Sequence, residues 1–168
     1  MYLWGQIISI FAMAAIILSF QCKSNRMLTL VTAIGSLLFA LSYLFLGQLY
    51  TTIYNIITLI GSFMCLNKDL KNKFVFAIIV LLYVLTSVIT FENWWTVILM
   101  TAQVGSMYSI MFKNGTYIRN MRFFFVSPIW IINNTLVCFS VGGLVCEIIT
   151  LASIIVSFIR YRKTGFDA

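Results

Sequence analysis

The 168 residues are 62% hydrophobic and 9% charged, with a mean hydropathy of +1.03. Water-soluble domains carry about 25% charged residues, so a soluble fold is excluded. Four acidic residues and no histidine supply no carboxylate pair, His-based triad or metal cluster, which argues against an enzyme and against a metal or other cofactor.

In chain order, seven apolar runs are predicted as membrane-spanning helices, at residues 3–20, 28–46, 48–66, 74–91, 94–112, 123–139 and 142–160. At about 1.5 Å per residue each run can cross a hydrocarbon layer about 30 Å thick. The first opens within MYLWGQ (1–6), which has no basic n-region, and no small-residue cleavage site follows the apolar stretch. It is therefore expected to be retained rather than removed as a signal peptide.

The net charge of +7 is distributed by position. Lys23 and Arg26 follow run 1; Lys68, Lys71 and Lys73 follow run 3; Lys113, Arg119 and Arg122 follow run 5; Arg160, Arg162 and Lys163 follow run 7. The alternate connections carry none, so the positive-inside rule predicts the N-terminus outside and the C-terminus cytoplasmic. The expected partners of these cations are anionic lipid headgroups at the inner face, not nucleic acid. Trp94, Trp95 and Tyr50 are expected in the outer aromatic belt, and Tyr117 and Tyr161 in the inner one.

The chain also echoes itself. Run 3 contains YNIITLIGSF (54–63) and run 7 contains CEIITLASII (146–155), while SFQCK (19–23) answers SIMFK (109–113). Run 1 then pairs with 5, 2 with 6 and 3 with 7, after a two-residue shift in between, and run 4 is left over. The expected architecture is an all-α polytopic protein of 3+1+3 parallel repeats. Its units are residues 1–67 as the first three-helix bundle, 68–92 as a linker holding helix 4, and 93–168 as the second bundle with a short basic tail.

Three blocks, LFLG with YNIITLI (44–47, 54–60), WIINN (130–134), and SVGGLVCE followed by IRYRK (140–147, 159–163), resemble the YgjV family of bacterial inner-membrane proteins. That resemblance implies a multi-pass protein of the bacterial cytoplasmic membrane. The architecture also resembles the wider SWEET and PQ-loop (MtN3-like) group, whose members bind substrate between two bundles through an Asn from the third helix of each. The positions aligned by IITL are Asn55 and Glu147, so one of the pair is acidic here. The chain has a single proline, Pro128, and SFQ at 19–21 stands where a Pro-Gln pair would be expected.

Polar residues at helical spacing mark the faces that would meet. Run 3 carries Thr51, Asn55, Thr58 and Ser62; run 7 carries Glu147 and Thr150; run 6 carries Ser127, Trp130 and Asn134 with Asn133 beside them; run 5 carries Gln103 and Ser106. Ser and Thr commonly serve as packing contacts between membrane helices, worth about 0.6 kcal/mol each, and Trp130 suits core packing as well as stacking on a ligand ring. Glu147 differs in scale: a central acidic residue costs on the order of 2.5–3.5 kcal/mol to insert. It is expected either as a protonated carboxyl hydrogen-bonded to Asn55, Asn134 or Thr150, or as a carboxylate facing a wet cavity. An ionisable group inside a membrane is a functional candidate by default, here a proton-coupling residue or a counter-ion for a cationic substrate.

The expected function is a small-solute transporter with a central site of Asn55, Glu147, Asn134, Trp130, Asn133, Thr58 and Thr150. The alternative is a non-transporting receptor, chaperone or assembly factor on the same fold. The solute and any homo-oligomer are left open, as is a Cys138–Cys146 disulfide across the outer hairpin.

Overall fold

The computed structural model describes residues 2–91, 93–137, 139, 141–162 and 165–166, the side chains of Tyr2 and Lys68 apart. Every described regular element is helical. Helices α1 (Tyr2–Gln21), α2 (Asn25–Phe45), α3 (Leu49–Leu66), α4 (Lys73–Ile89) and α5 (Trp94–Phe112) fall where the apolar runs predicted them, with a 3-10 turn at Lys68–Leu70 before α4. Helix α6 is continuous but changes pitch: α-helical at Gly115–Met121, π-helical at Arg122–Val126 and α-helical again at Ser127–Leu136. Helix α7 spans Val141–Tyr161.

Helices α1, α2, α3, α5 and α7 are long and apolar enough to cross a membrane, and α4 is a shorter apolar helix at the lower end of spanning length. Their outward faces suit lipid: Leu3, Phe11, Ile60, Val88, Ile89 and Ile159 are all exposed, and a hydrocarbon solvent imposes no cost on them.

Six helices form a closed ring in the order α1, α2, α3, α5, α6, α7 and back to α1, and α4 packs outside it against α3 and α5. Close approach between helices relies on small residues, as membrane packing does generally. A Cβ at Gly35 of α2 would stand 2.6 Å from the Ile16 side chain of α1. The Ser42 hydroxyl donates to Gly5 O across the same contact at 2.7 Å. Polar bonds hold α4 on α3: the Tyr83 hydroxyl meets Thr58 Oγ1 at 2.7 Å and Tyr54 meets Ser87 at 2.5 Å.

The seam between α1 and α7 is laced by hydrogen bonds. Gln21 donates through Nε2 to Ser153 Oγ at 2.6 Å, Ser153 donates to Ile17 O at 3.1 Å, and the Tyr161 hydroxyl donates to Gln21 O at 2.9 Å. Gln21 thus occupies the SFQ position as a tie between helices.

Two readings of the sequence are corrected. Tyr50 belongs to the core rather than the outer belt, being 3% exposed where Trp94 is 78% exposed. More important, the sixth helix starts at Gly115, eight residues before the predicted run, and draws Arg119 and Arg122 off the membrane surface. Arg119 is fully buried. It donates to Gly115 O, Phe20 O, Cys22 O and Ser157 Oγ at 2.7–3.2 Å, and the Phe166 ring lies 3.7 Å from its guanidinium carbon. Two of those acceptors lie at the C-terminal end of α1, where free carbonyls and the helix dipole favour a cation. A hydropathy reading assigns any arginine to a loop; this one is retained because carbonyls and a hydroxyl replace the water it loses.

Candidate functional site

The ring encloses a cavity to which every one of its six helices contributes: Ile16 from α1, Tyr43 from α2, Asn55 from α3, Gln103 from α5, Trp130 from α6 and Glu147 from α7. Helix α4 contributes nothing to its lining. About 50 Å³ is open to the centre of a water molecule, room for a few waters at roughly 10–15 Å³ each. The space is small, and a larger molecule could enter it only if the surrounding helices moved apart.

Glu147 is 4% exposed and forms an ion pair with Arg122, whose Nη2 donates to Glu147 Oε1. The second carboxylate oxygen, Oε2, and the Nε–H of Arg122 are both buried without a hydrogen-bond partner among the described residues. The three partners anticipated for Glu147 are otherwise engaged. Asn55 donates through Nδ2 to Thr51 O at 2.9 Å, Asn134 Oδ1 accepts from the Tyr43 hydroxyl at 2.7 Å, and Thr150 lies 3.9 Å from Cys146 Sγ.

The π-turn explains how Arg122 reaches this place. Pro128 has no N–H, so the helix cannot make its regular i−4 bond there, and just upstream Ser127 N–H reaches back to Arg122 O, the five-residue step of a π-helix. The turn absorbs one extra residue. In a regular helix at about 100° per residue, Arg122 and Trp130 would diverge by roughly 80°; with one residue absorbed they fall within roughly 20° of each other. Arg122, Trp130 and Asn134 consequently line one wall. Trp130 stacks on Tyr43 with ring centroids 6.1 Å apart, and Tyr43 follows Phe39 at 5.9 Å, so an aromatic stack links α6 to α2 across the ring. Helices α3 and α5 add amide and hydroxyl groups: Thr58 Oγ1 lies 3.4 Å from Gln103 Oε1, with Asn55 one turn away.

Of the residues anticipated for the site, Asn55, Thr58, Trp130, Asn134 and Glu147 line the cavity, as do Gln103 and Ser106. Asn133 points elsewhere and accepts from Trp95 Nε1 at 3.1 Å. Thr150, Thr51, Ser62 and Ser127 are buried within helix contacts instead. Helix α7 comes close enough to the site that a Cβ at Gly143 would stand 2.5 Å from Asn134 Oδ1. Cys146 is a buried free thiol, while Cys138 lies outside the described residues. Among the described residues no group of His, Cys, Asp or Glu has metal-site geometry. Arg122 is the component that sequence reasoning missed; the signal for it was Glu147 itself, since a membrane-buried acid requires a cation or a proton nearby.

The family model Imp-YgjV, described as bacterial inner membrane protein, matches residues 3–165. No curated protein matches the chain, and no solved structure does.

Proposed function

The chain therefore belongs to that family of bacterial inner membrane proteins, and from this premise we propose that it is a small-solute transporter. In this reading two three-helix bundles, α1–α3 and α5–α7, rock about the central cavity. The observation that carries the proposal is a central cavity of mixed polar and aromatic lining that holds an ion pair, Arg122 with Glu147, because a bundle stabilised only for structure would fill that space with apolar side chains.

The helix order supports the two-bundle arrangement. Helix α3 packs on α5 as α7 packs on α1, which is the pattern a two-fold relation between the bundles would produce. The two-residue shift between the sequence repeats has a physical account for one of the two residues. Helix α2 has 21 residues and α6 has one more, the residue absorbed by the π-turn. Helix α4 returns the chain so that the second bundle runs parallel to the first.

The N-outside, C-inside orientation rests on the basic ends. With Arg119 and Arg122 inside the bundle, Lys23, Arg26, Lys71, Lys73, Lys113, Arg160 and Arg162 still gather at one end of the helices, the end expected at the cytoplasm. Among the described residues that line the cavity, only Arg122 and Glu147 are charged, so Glu147 is the group through which opening could exchange a proton.

The test is a ligand-stabilisation screen of purified protein at several pH values, run beside Glu147→Gln. A small solute should raise the melting temperature, and the substitution should change its affinity or pH dependence. If no soluble metabolite shifts either protein and the variant is simply more stable, the cavity is structural and the transporter reading fails.

A further inference from the structure

The central site carries information about what it holds. The cavity contains one cation and one anion already joined, and each retains one unused buried hydrogen-bonding atom: a donor, Arg122 Nε–H, and an acceptor, Glu147 Oε2. A buried donor or acceptor left unmade is costly, more so when the group is charged. The atoms are complementary in kind, one requiring an acceptor and the other a donor.

A ligand bearing both groups satisfies both. A lone anion would satisfy Arg122 and crowd Glu147 with a like charge; a lone cation would do the reverse. A neutral polyol could hydrogen-bond beside the pair but could not replace either charge when the bundles part, and a buried charge left without its partner is strongly destabilising. A zwitterion replaces both charges at once, its carboxylate against Arg122 and its ammonium against Glu147. The aromatic stack of Phe39, Tyr43 and Trp130 is suited to the apolar part of such a molecule.

We propose that the solute bound at Arg122 and Glu147 is a small zwitterion carrying a carboxylate and an ammonium group, the chemical class of amino acids. The inference rests on the transporter reading above and specifies its substrate class.

The test measures thermal stabilisation of the full-length protein in detergent by four sets of probes. These are the standard L-amino acids; the methyl esters of those that bind; the corresponding acids lacking the amino group; and neutral sugars and polyols. At least one zwitterion should stabilise the protein, with its ester and its deamino acid weaker by roughly a hundredfold. Arg122→Gln and Glu147→Gln should each abolish the response. The double substitution, which removes both charges together and is expected to fold, should abolish it too.

Three outcomes overturn the assignment. Stabilisation by a sugar or polyol that persists in the double variant discards the zwitterion and leaves transport standing. Binding of the deamino acid alone, strengthened by Glu147→Gln, shows an anion site with a protonatable neighbour. No response to any probe, together with a double variant more stable than wild type, removes both the substrate class and the transporter reading.

Discussion

Helices α3 and α7 carry the same four letters, IITL, and each closes the ring against the first helix of the other bundle, yet they differ at the preceding residue. Asn55 in α3 satisfies part of its hydrogen bonding within its own helix, through Thr51 O. Glu147 in α7 reaches across to Arg122 on α6. The amide is content locally, whereas the carboxylate is coupled to a neighbour, and the π-turn is what presents that neighbour. Helices α6 and α7 therefore differ from α2 and α3 in three linked features, an acid, an arginine and an extra residue.

The comparison breaks most sharply at Arg122. Arg122→Ala leaves Glu147 buried without its partner and should cost about 3–5 kcal/mol, read as a large drop in melting temperature that Glu147→Gln in the same chain largely restores. Arg119→Ala should cost about 3 kcal/mol by orphaning the α1 carbonyls, and Glu147→Gln should not rescue it, because Arg119 has no acidic partner among its described contacts. Gly143→Ala should cost about 1–3 kcal/mol through overlap with Asn134 and should also weaken any ligand-induced stabilisation. The smallest effect is expected in the first bundle: Asn55→Ala should lose only about 0.6 kcal/mol in the same melt. A large loss at Asn55 would mean that the two third helices are equally coupled after all.

The positions of the helices other than the sixth were legible because membrane spans announce themselves through length and apolarity. The position of Glu147 was legible from the IITL echo. The arginines were not, since hydropathy treats every Arg as water-bound, and only tertiary partners, backbone carbonyls for Arg119 and a carboxylate for Arg122, draw such a side chain inward. Tyr50 was misplaced for the same reason: an aromatic residue at a helix end can face lipid headgroups or the core, and the contacts decide. Between adjacent Asn133 and Asn134 the sequence offered no choice. The helix turns about 100° from one to the next, which sends the first to Trp95 and the second to the cavity.

The ion pair also has an electrical consequence. Its two charges cancel while joined, so the closed protein presents no net charge to the membrane voltage at this point. When Arg122 and Glu147 separate, opposite charges move apart within the field, and a charge carried across the whole membrane exchanges about 2.3 kcal/mol per 100 mV. In the proposed transporter, opening should consequently produce a small transient current even when the transported molecule is neutral overall, and neutralising both residues should silence it.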